Sequence, residues 1–172
     1  MTGIRFGFMV ATLAAIAATQ ANAAEACTET SEGRRFQCGE WHVGRDIDEM
    51  TDAINWTLMT YVPNAGATDT WPSLSFFCRN EELMLLVAPG TYVFAPYELT
   101  LRIDAAKALT LPYQGAPGTA AVIRGKAVKA LTKQMTAGQL ARARLNTIAG
   151  QQTFTFELNG LADALALTPC KP

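Results

Sequence analysis

The stretch Thr153-Phe-Thr-Phe-Glu-Leu-Asn-Gly-Leu-Ala-Asp-Ala-Leu-Ala-Leu-Thr-Pro-Cys170, near the C-terminal end of the sequence, decides the fold. Its first half alternates apolar and polar residues, which predicts a strand that buries Phe154 and Phe156. Asn159 is then the expected N-cap of a short helix, and a proline ends that helix just before the last cysteine. The stretch therefore predicts a strand, a turn and a helix that attach the chain end to a core.

The first 23 residues have the features of a secretory signal peptide. Arg5 is the single charge before an apolar segment at residues 7–18, and residues 20–23 end in the small-x-small pattern that signal peptidase cleaves. The apolar segment is shorter than the about 20 residues that a membrane-spanning helix needs, so a retained anchor is the less favoured alternative. We predict cleavage after Ala23, which leaves residues 24–172 as a single periplasmic or secreted bacterial domain without membrane insertion.

Four cysteines follow the signal peptide, at Cys27, Cys38, Cys78 and Cys170. An even number of cysteines in an exported chain predicts two disulfides, with three possible pairings. We favour Cys27–Cys38, which closes a short polar loop, and Cys78–Cys170, which attaches the chain end to a core strand. The spacings fit neither a C-x-x-C redox pair nor a zinc site.

Hydrophobic alternation predicts most of the remaining elements. Strands are expected at residues 35–44, 53–62, 71–78, 82–88, 99–104, 109–113, 140–145 and 151–158. Residues 45–52 are expected to form a polar connection, and the run at residues 83–87 is apolar on both faces, which predicts a central strand. The pattern indicates one α+β domain, mainly an antiparallel β-sheet or sandwich with one longer and one short C-terminal helix, stabilised by disulfides.

The longer helix is predicted at residues 121–136. One face of that helix collects the apolar residues Ala127, Val128, Leu131 and Met135, and the opposite face collects Lys126, Lys129 and Lys133. The lysines are interpreted as a solvated helix face. The whole chain carries a formal net charge of −1, and loss of Arg5 makes it one unit more negative. That value is too close to neutrality to indicate nucleic acid or an anionic membrane as a partner.

The sequence offers little for catalysis. His42 is the only histidine, no nucleophile elbow, phosphate loop or dinucleotide motif is present, and the cysteines are expected to be oxidised. Asp46, Asp48, Glu49 and Asp52 are close enough in sequence to suggest a calcium loop, but they lack the EF-hand pattern. We predict no catalytic residue, no metal site and no cofactor, although a carboxylate pair for hydrolysis would not be recognisable in sequence.

A charged sheet face is the best candidate binding surface. Arg102, Asp104, Arg142 and Arg144, together with Thr155 and Glu157, all point to the polar side of their predicted strands. If these strands are neighbours, the residues form a face with charges of both signs. The two interpretations are an ordinary wet face of an antiparallel sheet and a surface that docks a protein, since arginines on a rigid sheet make good interface anchors.

Several short motifs resemble a known family. They are Asp48-Glu-Met-Thr-Asp52, Phe76-Phe-Cys78, Leu99-Thr-Leu-Arg-Ile-Asp104 and Phe154-Thr-Phe-Glu-Leu-Asn-Gly-Leu-Ala-Asp-Ala-Leu, followed by Cys170. In this order they resemble the VasI-like, type VI secretion-associated periplasmic proteins, and the layout is more distantly similar to the invasion-associated locus B family. The resemblance implies an exported, non-catalytic envelope accessory protein that binds an envelope or secretion-system protein, with a link to type VI secretion.

Two alternatives to that function remain open. The first is a periplasmic inhibitor or immunity-type protein that caps a cognate toxin or hydrolase, with the loops at residues 63–69 and 114–118 as inhibitory tips. The second is a hydrolase that uses carboxylates.

Overall fold

The computed structural model describes residues 27–63, 71–113 and 119–170, which form eleven strands and two helices. In chain order these are β1 (Thr28–Ser31), β2 (Arg35–Cys38), β3 (Trp41–Ile47), β4 (Ile54–Tyr61), β5 (Ser73–Arg79), β6 (Glu82–Ala88), β7 (Glu98–Ile103), β8 (Leu109–Pro112), β9 (Ala121–Ile123), α1 (Lys126–Ala137), β10 (Leu140–Thr147), β11 (Gly150–Glu157) and α2 (Leu161–Ala166). The predicted signal peptide and its cleavage site lie outside the described residues. Neither described helix is long and apolar enough to cross a membrane.

The strands form two sheets in which every pairing is antiparallel. The larger sheet has the order β1-β2-β3-β4-β5-β6-β9, and the smaller has the order β11-β10-β7-β8. One buried cluster contains apolar side chains from both sheets, including Trp41 and Phe76 of the larger sheet and Leu101 and Phe156 of the smaller. Helix α1 contacts β6 and α2, and α2 contacts β2 and β3. The predicted α+β fold, with its antiparallel sheets and its longer and shorter helices, is confirmed.

The β5–β6 hairpin shows how local sequence fixes a connection. Asn80 and Glu81 have φ values of 50° and 60°. Two consecutive residues with positive φ are typical of the type I′ turn, whose twist matches the twist of the flanking strands. Asparagine adopts this conformation more readily than most residues do. The turn keeps Leu85 opposite Phe76 in register.

The N-terminal part of the larger sheet differs from the prediction. The single strand predicted at residues 35–44 is divided into β2 and β3 by a turn at Gly39, where φ is +54°. Strand β3 then continues to Ile47, so the polar connection predicted at residues 45–52 was wrong for its first three residues. Strand β1 was not predicted, because its four residues are all exposed and carry no apolar alternation.

The long helix begins later than predicted. The first residues of the predicted segment form β9, which pairs with β6, and α1 starts at Lys126 after Gly125, whose φ is +72°. Val128, Leu131 and Met135 of the predicted apolar stripe are buried, Ala127 is half-buried, and the three lysines are exposed. Thr132 is also buried, and its hydroxyl is satisfied by a hydrogen bond that it donates to the backbone oxygen of Val128 at 2.7 Å.

Residues 158–170, which we call the C-terminal clasp, pack against the β2–β3 turn. Helix α2 begins after Gly160 rather than after the predicted N-cap Asn159, and no side chain caps it. Gly160 has a φ of +86°, and a Cβ there would collide with the backbone carbonyl of Cys38. The backbone N–H of Glu40 donates to the carbonyl of Asn159 at 3.2 Å. This close backbone approach, rather than a side-chain cap, determines where the helix starts.

Both predicted disulfides are present. Cys78 and Cys170 join β5 to the end of the C-terminal clasp, with their Cα atoms 5.8 Å apart. Cys27 and Cys38 join the chain before β1 to the end of β2, and no described cysteine is free. The C-terminal clasp is therefore held by a covalent bond, a tight backbone contact and the buried side chains of α2.

Candidate functional site on the four-stranded sheet

Strand register brings the predicted arginines together on the outer face of the smaller sheet. Arg142 on β10 lies directly opposite Arg102 on β7, and Arg144 lies opposite Thr100. The residues that alternate with them, such as Leu101 and Ala143, are buried on the inner face. We call Arg102, Arg142 and Arg144, all exposed, the arginine surface.

The arginine surface is bordered by hydroxyl groups. Arg142 and Arg144 also lie opposite Thr155 and Thr153 of β11. The Nε of Arg144 donates a hydrogen bond to Oγ1 of Thr153 at 3.0 Å. On the other side of β7, the hydroxyl oxygens of Thr100 and Thr110 are 3.1 Å apart. The face therefore combines guanidinium groups on β7 and β10 with threonines on β7, β8 and β11.

No arginine of this face forms an ion pair within 4.0 Å among the described residues, although the exposed Glu98 of β7 and Glu157 of β11 lie on the same face. The two ion pairs among the described residues are Arg35–Asp46, at 3.3 Å, and Arg79–Asp48, at 3.9 Å. The arginines of both pairs lie on strands of the larger sheet. Side chains directly opposite in an antiparallel pair have Cβ atoms about 5 Å apart, and like charges at that position are destabilising. Arg102 and Arg142, which are directly opposed, therefore repel each other across the two strands.

Asp104 has a structural role that the sequence did not predict. Its carboxylate accepts hydrogen bonds from the backbone N–H of Gln139, at 3.1 Å, and of Leu140, at 2.8 Å. Its own φ is +46°, so it ends β7 in a turn. The carboxylate therefore joins the end of β7 to the start of β10. The exposed Glu98 and Glu157 lie on the outer face with the arginines, so this face carries charges of both signs. Nη1 of Arg142 approaches the backbone oxygen of Asp104 at 3.4 Å.

The acidic residues around the β3–β4 connection serve local structure. Asp46 pairs with Arg35, and the Asp48 carboxylate accepts hydrogen bonds from the backbone N–H groups of Met50 and Thr51 at 3.0 and 3.1 Å. The hydrogen bonds from Met50 and then Thr51 hold the pKa of Asp48 below its usual value. Among the described residues, no group of three or more His, Cys, Asp or Glu side chains is placed to hold a metal ion.

His42 lies on the outer face of the larger sheet. Its ring is exposed and stacks on Tyr61, with ring centroids 4.9 Å apart. Ser75 is buried on the same face of the sheet, but β4 separates its strand from that of His42, a distance of about 10 Å. Met59 of β4 lies between these two residues on the same row of paired residues.

Sequence reasoning missed the apolar outer face of the larger sheet. The signal was the run at residues 83–87, which was interpreted as a central strand. Strand β6 instead lies second from the edge, next to the three-residue strand β9, and its residues Met84 and Leu86 point outward and are half-buried. The loops proposed as inhibitory tips, apart from Pro63, lie outside the described residues.

Comparisons with known proteins give a fold relationship. No protein-family model matches the chain, and no curated protein matches it by sequence. Among solved structures, the chain is similar to the crystal structure of invasion associated protein B from Bartonella henselae, with a TM-score of 0.59 and 13% sequence identity. The match covers 77% of this chain and 94% of the Bartonella chain. The likeness supports the more distant of the two predicted resemblances at the level of the fold, and it does not extend to the VasI-like proteins.

Proposed function

We propose that this protein is an exported accessory protein of the bacterial envelope that acts by binding, without catalysis, an acidic surface of another envelope protein. The observation that carries the proposal is the arginine surface, in which Arg102 and Arg142 are directly opposed and neither forms an ion pair within 4.0 Å among the described residues. Like charges in this arrangement cost stability, so a partner that supplies carboxylates gives them a reason to be there.

The chemistry of arginine suits this role. A guanidinium group presents a planar fork of N–H donors that matches a carboxylate, and arginine is enriched among the residues that dominate binding energy at interfaces. The surface lies on β7 and β10, the two inner strands of the smaller sheet, so the backbone positions the side chains rigidly. A partner with Asp or Glu side chains at matching spacing would relieve the repulsion between Arg102 and Arg142.

Export to the envelope is supported by two kinds of observation. Two disulfides are typical of proteins that fold in an oxidising compartment. The structural neighbour is named as an invasion-associated protein, and that name belongs to the Bartonella protein. A link of this chain to type VI secretion rests on the short motifs that resemble the VasI-like proteins, and the identity of the partner tests it.

The experiment is crosslinking in intact cells, with identification of the bound protein, followed by measurement of its affinity. The test variant combines Arg102→Glu with Arg142→Glu. The control combines Lys129→Glu with Lys133→Glu, which makes the same change of charge on the exposed face of α1. We expect the arginine variant to bind the partner at least about 10-fold more weakly and the lysine variant to bind it normally.

Charge reversal on the partner completes the test. Replacing the partner's crosslinked acidic residues with lysine should restore binding to the arginine variant and weaken binding to the unmodified protein. The affinity should also fall as the salt concentration rises, because salt screens exposed charges. Equal affinity of the two variants for the partner would contradict the proposal. Turnover of cell-wall or ester substrates that a single Asp or Glu substitution abolishes would contradict the non-catalytic part.

A further inference from the structure

The outer face of the larger sheet changes from polar to apolar across its strands. On one row of paired residues, His42 of β3 is followed by Met59, Ser75, Leu86 and Val122 of β4, β5, β6 and β9. On the next row, Thr57 is followed by Phe77 and Met84. In an antiparallel sandwich the outer face is normally polar. The apolar part over β4, β5, β6 and β9 therefore calls for a specific explanation.

A cavity opens on the apolar part of this face. Its volume is about 620 Å³, and its described lining includes Leu86 and Ala88 of β6, with Trp71 and Tyr92 beside them. Trp71 is 49% exposed and Tyr92 is 60% exposed, so both rings remain accessible at the rim. The cavity lies about 14 Å across the sheet from His42, since three strand spacings separate β3 from β6.

The lining of the cavity determines which ligand it accepts. No described lining residue is charged, and the polar side-chain groups among them are the hydroxyls of Thr91, Thr119 and Tyr92 and the indole N–H of Trp71. Transfer of an unpaired charge into such surroundings is strongly unfavourable. A sugar is also a poor fit, because the described lining holds no carboxylate or amide side chain to bond its many hydroxyl groups. Hydrocarbon groups, which need no polar partner, fit these walls.

The size of the cavity favours a small molecule. Pockets for small ligands are about 300–1,000 Å³ and are lined mainly by apolar and aromatic side chains. From these features we infer that the cavity between Trp71 and Tyr92 binds the uncharged hydrocarbon chain of a small amphiphile, with the polar end of the ligand in solvent. The site lies on the sheet opposite to the arginine surface, so the inference is independent of the proposed protein partner.

The first test is calorimetric titration of the oxidised, exported protein with hexanol, octanol and decanol. Burial of each added methylene should tighten binding roughly three- to fourfold until the chain fills the cavity. Leu86→Arg should weaken binding at least about 10-fold, because it places a charge on the cavity floor. Met84→Arg is the matched control, since Met84 lies on the same strand and face but outside the described lining, and its affinity should be unchanged.

A second variant keeps the inference testable if Leu86→Arg does not fold. Ala88→Leu adds apolar volume inside the cavity, so it should shorten the longest alcohol that binds tightly while hexanol still binds. Decanoate and phosphatidylcholine vesicles then separate the two sources of a hydrocarbon chain, a free amphiphile and a membrane lipid. The inference is overturned if affinity does not depend on chain length, if Leu86→Arg and Met84→Arg bind equally well, or if only vesicles bind and Leu86→Arg does not affect them.

Discussion

Loss of the Cys78–Cys170 disulfide, through Cys78→Ala combined with Cys170→Ala, should destabilise the protein more than loss of the Cys27–Cys38 disulfide. The bond joins residues with a sequence separation of 92. For a loop of that length, the lost constraint on the unfolded chain corresponds to about 4.6 kcal/mol of unfolding free energy at 25 °C. Both cysteines are buried, so the space left by the sulfur atoms adds to the loss.

The other disulfide supplies a control within the same chain. Cys27 and Cys38 have a sequence separation of 11, for which the same relation gives about 2.8 kcal/mol. The variant with Cys27→Ala and Cys38→Ala should therefore be more stable than the first variant by about 1.8 kcal/mol. The chain before β1 is also packed less deeply than the C-terminal end, since Cys27 is only partly buried whereas Cys170 is buried.

Urea unfolding at equilibrium measures both differences, with intrinsic fluorescence and circular dichroism as separate probes. A thermal scan should show a Tm lower by roughly 10–18 °C for the Cys78/Cys170 variant. Coincidence of the two probes would establish that unfolding remains cooperative. If removal of Cys27–Cys38 costs as much as removal of Cys78–Cys170, or more, loop length does not control the stability of this fold and the reasoning is refuted.

Three further predictions concern single residues. Gly160→Ala should cost at least about 1 kcal/mol more than Gly150→Ala in urea unfolding, because both glycines have positive φ but only a Cβ at Gly160 meets backbone atoms; equal costs would rule out the steric explanation. Burial, and then a neighbouring tyrosine, raise the pKa of Tyr113, so the unfolded chain loses that proton first and stability should fall as the pH rises above about 10. Tyr113→Phe should reduce this alkaline loss, and an unchanged pH profile of unfolding would contradict the assignment. Arg102→Thr should raise the free energy of unfolding by about 0.5 kcal/mol, because it removes the repulsion from Arg142, and it should weaken binding to the proposed partner. A loss of stability in this variant would count against a functional reason for the arginine pair.

The elements that the sequence predicted correctly are those whose core contacts repeat with a simple period. Phe154 and Phe156 alternate with polar residues, so the face of β11 that is buried could be predicted. Strand β1 could not be predicted, since backbone pairing and the nearby disulfide hold it without burial. The start of α2 also depends on tertiary contact, because only the closeness of Cys38 explains why Gly160, and not Asn159, precedes the helix.

In the candidate site, too, local pattern predicted some features and tertiary contacts determine the others. Alternation placed Arg102, Arg142 and Arg144 on the polar faces of their strands, but the directly opposed pair depends on the register between β7 and β10. The role of Asp104 depends on backbone N–H groups that lie 35 and 36 residues further along the chain. The cavity beside Trp71 is formed by segments that are distant in sequence, and no local pattern reports such a packing arrangement.

The separation between the members of the C-terminal disulfide also affects the order of events during synthesis. If the chain enters an oxidising compartment N-terminus first, Cys27 and Cys38 enter close together and can form their disulfide at once. Cys78 cannot form its disulfide until Cys170 has also entered. Throughout that interval Cys78 is a thiol that can attack the first disulfide and exchange with it. Correct pairing then requires either rapid burial of Cys78 in β5 or an isomerase that reverses wrong bonds, so cells that lack disulfide isomerase should accumulate Cys27–Cys78 or Cys38–Cys78 forms.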